Sequence, residues 1–405
     1  MILSLPYQLR ELVCTPLIMV ERCYYILAGE VSADILAAQL MRALKKNSSE
    51  PINWIGIGGD QMEQLGLTSY RPISELSVIG ILDATTTYFA LLQIAKEQVK
   101  QIIQSRPKAI FTVDTKQFSL KFATLLRREM DEVGWHAPII QFVAPTVWAW
   151  GAWRAKKFEE VFDAIFCLFP FEPPYFNAKK TDAIFVGHPE GYKNFQLNNQ
   201  ITSSSQLKKI DYIGLLPGSR RREIAFNLAI ILKSAELFFK KFPRCRFILP
   251  TTSSLKKEIK ERVQKYQLPI EILEGTEEFE KSLSAMSAAI CVSGTATLQL
   301  SLRGIPAVTC YKTSALNFFL MRLLFKQKDP ILPNILLQKK VYPCFLQSKQ
   351  TSANISAALI DIYKNIDFEK NKMRKNSEFL QQMLGGKAEN WESAVVHYLK
   401  KMNII

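Results

Sequence analysis

Residues 211–238 read DYIGLLPGSRRREIAFNLAIILKSAELF, and they decide the fold of the second half of the chain. A short apolar run, a Pro-Gly-Ser turn and apolar residues at helical spacing predict a strand, a tight turn and a long helix that starts near Arg221. Such a turn places free backbone N–H groups at the carboxyl edge of a sheet, where anions bind. Gly218 has no side chain, so a phosphate group can approach the backbone closely, and the planar guanidinium of Arg220 can donate two hydrogen bonds to it. The segment therefore predicts a phosphate site.

A capping box offers a structural account of part of this turn. Ser219 and Glu223 would close the first turn of the helix, an interaction worth about 1 kcal/mol. That explanation leaves the three arginines at 220–222 unexplained. Anion binding is therefore the favoured interpretation, with Gly218, Ser219, Arg220 and Glu223 as its residues.

The same alternation of apolar runs and helical patterns occupies most of the chain. In the first half the predicted strands are Tyr24–Leu27, Asn53–Ile57, Ala109–Val113, Ile139–Val143, Ala164–Cys167 and Ala183–Val186. In the second half they are Tyr212–Leu216, Arg246–Pro250, Ile270–Leu273, Ala289–Val292 and Ala307–Cys310. Strands that alternate with helices are typical of parallel sheets covered on both faces. The chain is thus predicted to be an α/β protein with two Rossmann-like, doubly wound domains.

A polar segment divides the two series of strands. Residues 195–210 are rich in Asn, Ser, Gln and Lys and lack apolar periodicity, which is typical of a linker. We predict an extension at 1–23, domains at 24–194 and 211–351, and C-terminal helices at 352–405 that pack across both domains. Two domains of similar size leave a cleft between them, and ligands of parallel sheets bind at the carboxyl ends of strands.

The charge of the chain indicates an anionic partner. Its 405 residues include 52 basic and 37 acidic side chains, giving a formal charge of +15. Phosphorylated substrates and anionic lipid surfaces fit this charge, whereas the sequence lacks a nucleic-acid reading motif, so no nucleic-acid partner is predicted. Seven scattered cysteines without C-x-x-C spacing favour reduced thiols and a cytosolic protein. Charged residues interrupt the apolar N-terminal segment, so no signal peptide or membrane span is predicted.

Two acidic residues follow predicted strands of the first domain. Glu30 lies in a strand-to-helix turn, where a carboxylate is not needed for capping, and the following helix is expected to begin near Ile35 with Ser32 or Asp34 as its cap. Asp114 follows the strand Ala109–Val113 and is our candidate general base, because attack by a hydroxyl requires an acceptor for its proton. The alternative is that Asp114 caps the helix around Phe118.

The second domain contains another strand, Ser-Gly-Thr turn and helix. Ser293, Gly294 and Thr295 form this turn, whose amides are suited to a diphosphate or a ribose. The three histidines at 136, 188 and 397 are far apart in sequence, and no D-x-D motif follows a strand. We therefore predict no metal and no cofactor, and expect arginine and helix amides to neutralise a phosphate.

Aromatic side chains mark two candidate surfaces. Trp148, Trp150 and Trp153 lie beside basic residues, which suits a sugar ring, an acyl chain or a phosphate, although their spacing does not place all three on one helical face. The apolar run Phe318–Phe325, flanked by basic residues, fits either a membrane interface or a core helix, as does the segment Ile79–Ile103.

Several motifs together resemble one family. In chain order they are AGEVSAD (28–34), VDTKQF (113–118), APTVWAWGAWRAKK (144–157), LFPFE (168–172), VGHP (186–189), LLPGSRRREI (215–224), SGTAT (293–297) and LPNIL (332–336). In this order they resemble lipid-A-disaccharide synthase from about Tyr24 to Gln347. The two predicted domains likewise resemble the GT-B architecture of nucleotide-sugar glycosyltransferases.

The resemblance implies an activity, its substrates and a location. It implies an inverting, metal-independent transfer from UDP-2,3-diacylglucosamine to 2,3-diacylglucosamine 1-phosphate, which forms the β(1→6) disaccharide and UDP. The domain 24–194 would then bind the acceptor and the domain 211–351 the UDP-sugar. A cytoplasmic protein held peripherally on inner-membrane lipids is expected, and a homodimer is left open.

The resemblance also assigns roles to individual residues. Asp114 matches the catalytic base, Arg220 the contact to donor phosphate, and Glu30 the acidic residue of the first turn. The resemblance places Asn334 at the donor together with the turns at 218–219 and 293–295. From the aromatic pattern described above, Trp148, Trp150, Phe318 and Phe319 are expected at the acceptor or lipid.

Four positions depart from the family pattern. Ala33, Gln117, Ser119 and Gln299 stand where glycine, aspartate, asparagine and glutamate are usual. Gln299 would bind ribose without a charge, which weakens such a bond by roughly 1–2 kcal/mol. These departures motivate two alternatives: a transferase or epimerase of the same fold with another acceptor, and a non-catalytic protein that binds UDP or lipid.

Overall fold

The chain folds into two compact units, each built on one parallel sheet. The computed structural model describes residues 22–77, 84–149, 151–176, 181–193, 211–315, 318–319, 330–385 and 390–405. One unit comprises residues up to His188 together with Gly385–Ile405, and the other spans Pro189–Leu384. The predicted linker at 195–210 and nearly all of the predicted extension at 1–23 lie outside the described residues.

The first unit contains a seven-stranded sheet in the order β3-β2-β1-β4-β5-β6-β7. Its strands are β1 (Cys23–Ala28), β2 (Asn53–Ile57), β3 (Leu67–Ser69), β4 (Ala109–Val113), β5 (Ile139–Phe142), β6 (Ala164–Cys167) and β7 (Asp182–Phe185). Each neighbouring pair is parallel. The chain order reverses between β1 and β4, so that pair forms the switch point at which such sheets bind ligands.

Helices cover both faces of this sheet. They are α1 (Val31–Asn47), α2 (Asp60–Glu63), α3 (Ser74–Ser77), α4 (Ala84–Ser105), α5 (Lys116–Val133) and α6 (Arg154–Glu159). The apolar side chains of α4 and α5, including Val99 and Phe122, are buried in the core on one face. The segment Ile79–Ile103 could fit either a membrane interface or a core helix, and its residues 94–103 belong largely to the core.

The second unit contains a six-stranded sheet in the order β10-β9-β8-β11-β12-β13. Its strands are β8 (Tyr212–Leu216), β9 (Arg246–Thr251), β10 (Ile270–Glu274), β11 (Met286–Val292), β12 (Ala307–Tyr311) and β13 (Cys344–Leu346). The flanking helices are α7 (Arg221–Lys241), α8 (Ser253–Val263), α9 (Thr276–Ala285), α10 (Thr295–Leu302), α11 (Leu332–Leu336), α12 (Ser352–Lys364) and α13 (Ile366–Leu384). Here the chain order reverses between β8 and β11.

The two predicted Rossmann-like domains are confirmed. Strands such as β1, β4 and β11 are buried along their whole length, as expected of parallel strands covered on both faces. The sequence patterns missed β3 and β13, which have three residues each and lie at sheet edges.

The C-terminal helices are divided between the units. We expected residues 352–405 to pack across both domains, but α12 and α13 belong to the second unit, and α14 (Trp391–Lys401) belongs to the first. The Trp391 ring meets the Phe142 ring edge-on at 5.6 Å, and the Tyr24 hydroxyl donates to the carbonyl of Ile404 at 2.6 Å. Pro189–Tyr192 belongs to the second unit, where Glu190 pairs with Arg303 at 3.4 Å, so the unit boundary precedes the predicted end at residue 194.

Candidate active site

The switch point of the first sheet brings two predicted site residues to one edge. Ala28 of β1 is paired with Val113 of β4, so Gly29 and Asp114 follow side by side. A Cβ at Gly29 would overlap the methyl group of Thr115, which explains the glycine by close approach of the two turns. Glu30 therefore follows β1 at the edge where Asp114 follows β4.

Asp114 has a backbone conformation that few non-glycine residues adopt. Its φ is +59°, and its N–H donates to the Phe142 carbonyl at 3.0 Å. Its Oδ1 lies 3.0 Å from Lys116 Nζ, and its side chain is 29% exposed. The helix α5 begins after Thr115, so the alternative role of Asp114 as the N-cap of that helix is wrong.

A buried amide braces this edge and was missed by the sequence reasoning. Gln141 is fully buried, and its Nε2 donates to the carbonyls of Asp114 at 3.4 Å and Val143 at 3.1 Å. Val143 also has a positive φ, +77°, which is unfavourable for a β-branched residue. Two strained residues at adjacent strand ends are thus held by one side chain, as is common at functional sites.

Glu30 occupies the N-cap position of α1. The helix begins at Val31, so the predicted start near Ile35 is wrong. Asp34 does not cap its own helix, because its carboxylate accepts the N–H groups of Gly59 at 2.9 Å and Met62 at 3.2 Å. Burial raises the pKa of Asp34, whereas these backbone bonds lower it. Asp34 therefore anchors the turn into α2.

A buried carboxylate lies at the same edge and was not predicted as a site residue. Glu172 is 1% exposed. Its Oε2 accepts the N–H groups of Leu168 and Phe169, each at 3.0 Å, and its Oε1 accepts the indole N–H of Trp148 at 3.2 Å. Burial raises the pKa of Glu172 to about 7, although these bonds and the charge of Lys116 lower it. An acid soon after the apolar strand β6 is the sequence signal that could have identified it.

Half-buried aromatic rings extend from Trp148. Its ring meets that of Phe171 edge-on at 5.2 Å, Phe171 lies parallel to Phe169 at 5.7 Å, and Phe169 stacks on His188 at 6.0 Å. We call Trp148, Phe171 and Phe169 the aromatic row. Trp153 has a different environment, since it is 67% exposed with Lys157 over its ring. Trp150 lies outside the described residues.

At the switch point of the second sheet, an internal carboxylate fills the predicted phosphate turn. The Oε2 of Glu223 accepts the N–H groups of Ser219 at 3.0 Å and Arg220 at 3.3 Å. Arg220 Nη1 lies 3.5 Å from Oε1 of the same carboxylate. Gly218 has a φ of +104°, and a Cβ there would overlap Glu223. The helix begins at Arg221, and Glu223 closes its first turn as predicted, but the N-cap residue of this capping box is Arg220 and not Ser219.

The Ser-Gly-Thr turn follows β11 at the same edge. The Ser293 N–H donates to the Cys310 carbonyl at 3.0 Å, and its hydroxyl donates to the Pro330 carbonyl at 2.9 Å. Gly294 and Thr295 are exposed, and α10 begins at Thr295 with Gly294 at its N-cap position, where no side chain is present to cap the helix amides. The amides of Gly294 and Thr295 are therefore better placed for a ligand than the hydroxyl of Ser293. Gln299 lies further along α10 and is half-buried.

The side-chain amide of Asn334 binds backbone. Its Oδ1 accepts the N–H groups of Val341 at 2.9 Å and Tyr342 at 3.0 Å, while Nδ2 donates to the Tyr342 carbonyl at 3.1 Å. These bonds give the buried asparagine a structural role in shaping the segment before β13. Its contact with the donor stays a prediction.

Comparison with known proteins assigns the chain to a family. A family model described as lipid-A-disaccharide synthetase matches residues 24–397. The chain belongs to the lipid-A-disaccharide synthetase family. The lipid-A-disaccharide synthase of Acinetobacter baylyi is 32% identical over 387 residues, covering 92% of this chain and 95% of that protein. That of Saccharophagus degradans is 33% identical over 362 residues, covering 87% and 90%.

Solved structures support the fold. S. aureus MnaA, solved with UDP, superposes with a TM-score of 0.61 at 12% identity, covering 95% of this chain and 98% of that one. Acinetobacter baumannii MurG gives a TM-score of 0.52 at 13% identity, covering 94% and 99%. At such identities the similarity concerns the fold alone.

The residues that depart from the pattern of the lipid-A-disaccharide synthetase family differ in how deeply they are buried. Ala33 is fully buried in α1, and Ser119 is fully buried in α5 with its Oγ 2.9 Å from Thr115 Oγ1. Gln117 is exposed one residue after Lys116. Ser119 thus helps to hold the Asp114 turn through Thr115.

Two further features concern metals and lipid. Among the described residues, no group of three or more His, Cys, Asp or Glu is placed to hold a metal ion. Phe319 is 65% exposed and Phe318 is half-buried, whereas residues 320–325 of the predicted apolar run lie outside the described residues. No helix in the described ranges is both long and apolar enough to cross a membrane.

Proposed function

We propose that the chain transfers 2,3-diacylglucosamine from its UDP ester to the 6-hydroxyl of 2,3-diacylglucosamine 1-phosphate. The products are the β(1→6) disaccharide 1-phosphate and UDP. Membership of the lipid-A-disaccharide synthetase family makes the chain a glycosyltransferase of lipid A disaccharide synthesis. Asp114 carries the proposed mechanism: a part-exposed carboxylate, held in a left-handed conformation at a switch point, with no capping role.

In this mechanism Asp114 accepts the proton of the attacking hydroxyl. Lys116 engages Oδ1, so the other oxygen takes the proton as the hydroxyl oxygen bonds to the anomeric carbon. The bond from that carbon to the diphosphate breaks on the opposite side, which inverts the configuration. Glu30, at the same edge, is proposed to orient the acceptor by accepting a hydroxyl hydrogen bond.

The departing UDP is held by groups of the second unit. Arg220, 63% exposed at its side chain, and the amides of residues 219 and 220 would bind the diphosphate. Glu223 now occupies those amides, so the diphosphate has to displace it or bind beside it. The turn 293–295, Gln299 and Asn334 are proposed to complete the donor site.

The acyl chains of the proposed substrates and the formal charge of +15 on the protein support a location at a membrane surface. We place the chain peripherally on the cytoplasmic face of the inner membrane, with Trp148, Trp150, Phe318 and Phe319 at the acceptor or lipid. Binding to anionic vesicles should weaken as salt screens the charges. Equal binding to neutral vesicles at all salt concentrations would contradict the electrostatic part of this placement.

One assay tests the reaction itself. The chain is incubated with UDP-2,3-diacylglucosamine and 2,3-diacylglucosamine 1-phosphate, and UDP and disaccharide are quantified together. Equimolar UDP and disaccharide, with little of either from a deacylated acceptor, is the expected result. Donor binding without product at any enzyme concentration would instead identify a non-catalytic protein, and isomerised donor without acceptor consumption would identify an epimerase.

A further inference from the structure

Three neighbouring strands of the first sheet deliver interacting side chains to one edge. Asp114 follows β4, Trp148 follows β5 and Glu172 follows β6. Glu172 accepts the Trp148 N–H, and the charge of Lys116 acts on Glu172 while its Nζ contacts Asp114 at 3.0 Å. The buried carboxylate is therefore connected to the proposed base through a lysine and to the aromatic row through an indole.

The contacts of Glu172 leave no role as a proton acceptor for substrate. It is 1% exposed, and its carboxylate accepts three hydrogen bonds from the protein itself, from two backbone N–H groups and one indole. A buried carboxylate with three donors fixes the loops that supply those donors, since each donor loses a strong bond if it moves. The donors come from two loops, those after β5 and β6, and both loops carry parts of the aromatic row.

We propose that Glu172 is a positioning residue for the acceptor: its ionised carboxylate holds Trp148 and Lys116 in place, so that the aromatic row presents the acceptor sugar to Asp114. This inference rests on the proposed function. The aromatic row is suited to its part because its half-buried rings offer apolar faces and edges to the C–H groups of a sugar or to an acyl chain.

The proposal distinguishes the two protonation states of Glu172. Oε2 accepts two backbone N–H groups, so an added proton would reside on Oε1, the oxygen that accepts the N–H of Trp148. A neutral carboxyl oxygen accepts the indole N–H more weakly than a carboxylate does, and the negative charge that interacts with Lys116 is lost as well. Protonation therefore weakens the bond that holds Trp148, and the raised pKa of about 7 places this change within an ordinary assay range.

Other titratable groups near Glu172 need to be separated from it. Lys116 of α5 and the Cys167 thiol at the end of β6 interact with it electrostatically, and His188 stacks on Phe169. Burial raises the pKa of Cys167 far above its usual range, so that thiol stays neutral near pH 7. His188 is common to all variants below, so a pH effect that Glu172→Gln removes does not come from the histidine.

The test compares pH profiles of kcat/KM for the acceptor. In the wild type we expect kcat/KM to fall as the pH is lowered, with an apparent pKa of about 7, and we call this fall the acid limb of the profile. In Glu172→Gln that limb should vanish, and kcat/KM for the acceptor at pH 8 should fall by about 10–100-fold with the donor KM unchanged, since misplaced supporting groups have effects of that size. Glu172→Asp should recover part of the loss.

Asp163→Asn is the matched control at the other edge of the sheet. The Asp163 carboxylate also accepts a backbone N–H, from Ile139 at 2.6 Å, and pairs with Arg127, but it precedes β6 instead of following it. We expect this variant to lose stability and to keep the acid limb of the wild type. Loss of the limb in Asp163→Asn would show that general loosening of the unit explains it, and would overturn the proposal.

A second readout does not depend on turnover. The fluorescence of Trp148, obtained by subtracting the spectrum of Trp148→Phe, should titrate with a midpoint of about 7 in the wild type and not in Glu172→Gln. If Glu172→Gln does not fold, Trp148→Phe serves in its place and should also lack the acid limb. Titration of the indole without disaccharide synthesis would refute the proposed function while supporting the positioning role. The inference would be overturned if the enzyme is active, Glu172→Gln keeps the acid limb, and the Trp148 fluorescence of the wild type does not titrate.

Discussion

At the scale of single residues, Asp114 combines a chemical group with an unfavourable backbone conformation. A left-handed φ is disfavoured by about 1–2 kcal/mol for most residues and less for aspartate, so neighbouring contacts must hold it. Three contacts hold it: the Gln141 side chain donates to the Asp114 carbonyl, the Asp114 N–H donates to the Phe142 carbonyl, and the carboxylate pairs with Lys116. This turn directs a carboxylate out of the sheet edge instead of into a helix cap.

Replacing the base should separate catalysis from donor binding. Asp114→Asn is expected to lower kcat by about 100-fold to 10,000-fold, the usual contribution of a general base. Asparagine tolerates a left-handed φ, so the variant should fold. Its Kd for UDP, measured by calorimetry, should match the wild type because the proposed phosphate turn belongs to the other unit. Full turnover in the variant would remove Asp114 from the mechanism.

Glu172 should also affect stability in a pH-dependent way. Its pKa rises from 4.5 to about 7 on folding, so folding favours the protonated form. By linkage, this preference adds roughly 3 kcal/mol to the free energy of unfolding at pH values below the pKa of the unfolded state. The contribution is lost as the pH rises through 7. Glu172→Gln lacks this loss, so its stability relative to the wild type should improve between pH 4.5 and 8. Urea unfolding of the first unit at both pH values measures the change, and parallel curves would contradict it.

At the scale of elements, the sequence predicted strands better than the contacts between loops. Runs such as Ala109–Val113 were predicted with the observed bounds, because a parallel strand covered on both faces is continuously apolar. The three-residue strand Leu67–Ser69 has too little pattern to be recognised.

The site was predicted where it follows from position along a strand. Asp114, Gly218 and Gly294 could be placed at sheet edges because each follows a recognisable strand. The role of Asp34, which accepts bonds from residues 25–28 positions later, depends on tertiary contacts that no local pattern contains. The same holds for Glu172, whose indole partner is 24 positions earlier.

The start of α7 provides a matched pair of arginines. Arg220 and Arg221 are both exposed, at 63% and 77% of their side chains, and each pairs with a glutamate. Arg220→Ala should weaken UDP binding by about 10-fold to 100-fold, the worth of a charge-assisted bond, whereas Arg221→Ala should leave the Kd nearly unchanged. Equal losses in both variants would indicate a general effect of positive charge and not a specific phosphate contact.

Glu223 at the same helix start should compete with the donor phosphate. Because its carboxylate accepts the N–H groups of Ser219 and Arg220, Glu223→Gln replaces a charged competitor with a neutral one. We expect the Kd for UDP to fall by about two- to fivefold, the size of a charge effect at a helix N-terminus. Weaker UDP binding would show that the carboxylate itself contacts the donor.

At the scale of the whole molecule, the chain completes its first unit only at its C-terminal end. Residues 189–384 form the second unit before α14 returns to the first sheet. Trp391 is 4% exposed and packs against Phe142 of β5, and Tyr24 of β1 binds the carbonyl of Ile404. Core contacts of the first unit thus join the two ends of the described chain, so its folding depends on residues that follow the whole second unit in sequence.

This connectivity predicts separate effects of one substitution on the two units. Trp391→Ala removes a buried indole and should destabilise the first unit by about 3–5 kcal/mol. Trp391→Phe should cost only about 1–2 kcal/mol, because the buried Nε1 of Trp391 has no hydrogen-bond partner among the described residues and its removal leaves no bond unmade. Both variants should retain the wild-type Kd for UDP, since the proposed donor groups belong to the second unit. Unfolding followed by tryptophan fluorescence, with calorimetric UDP binding on the same samples, measures both quantities. A loss of UDP affinity in proportion to the loss of stability would show that the second unit does not hold its fold independently of α14.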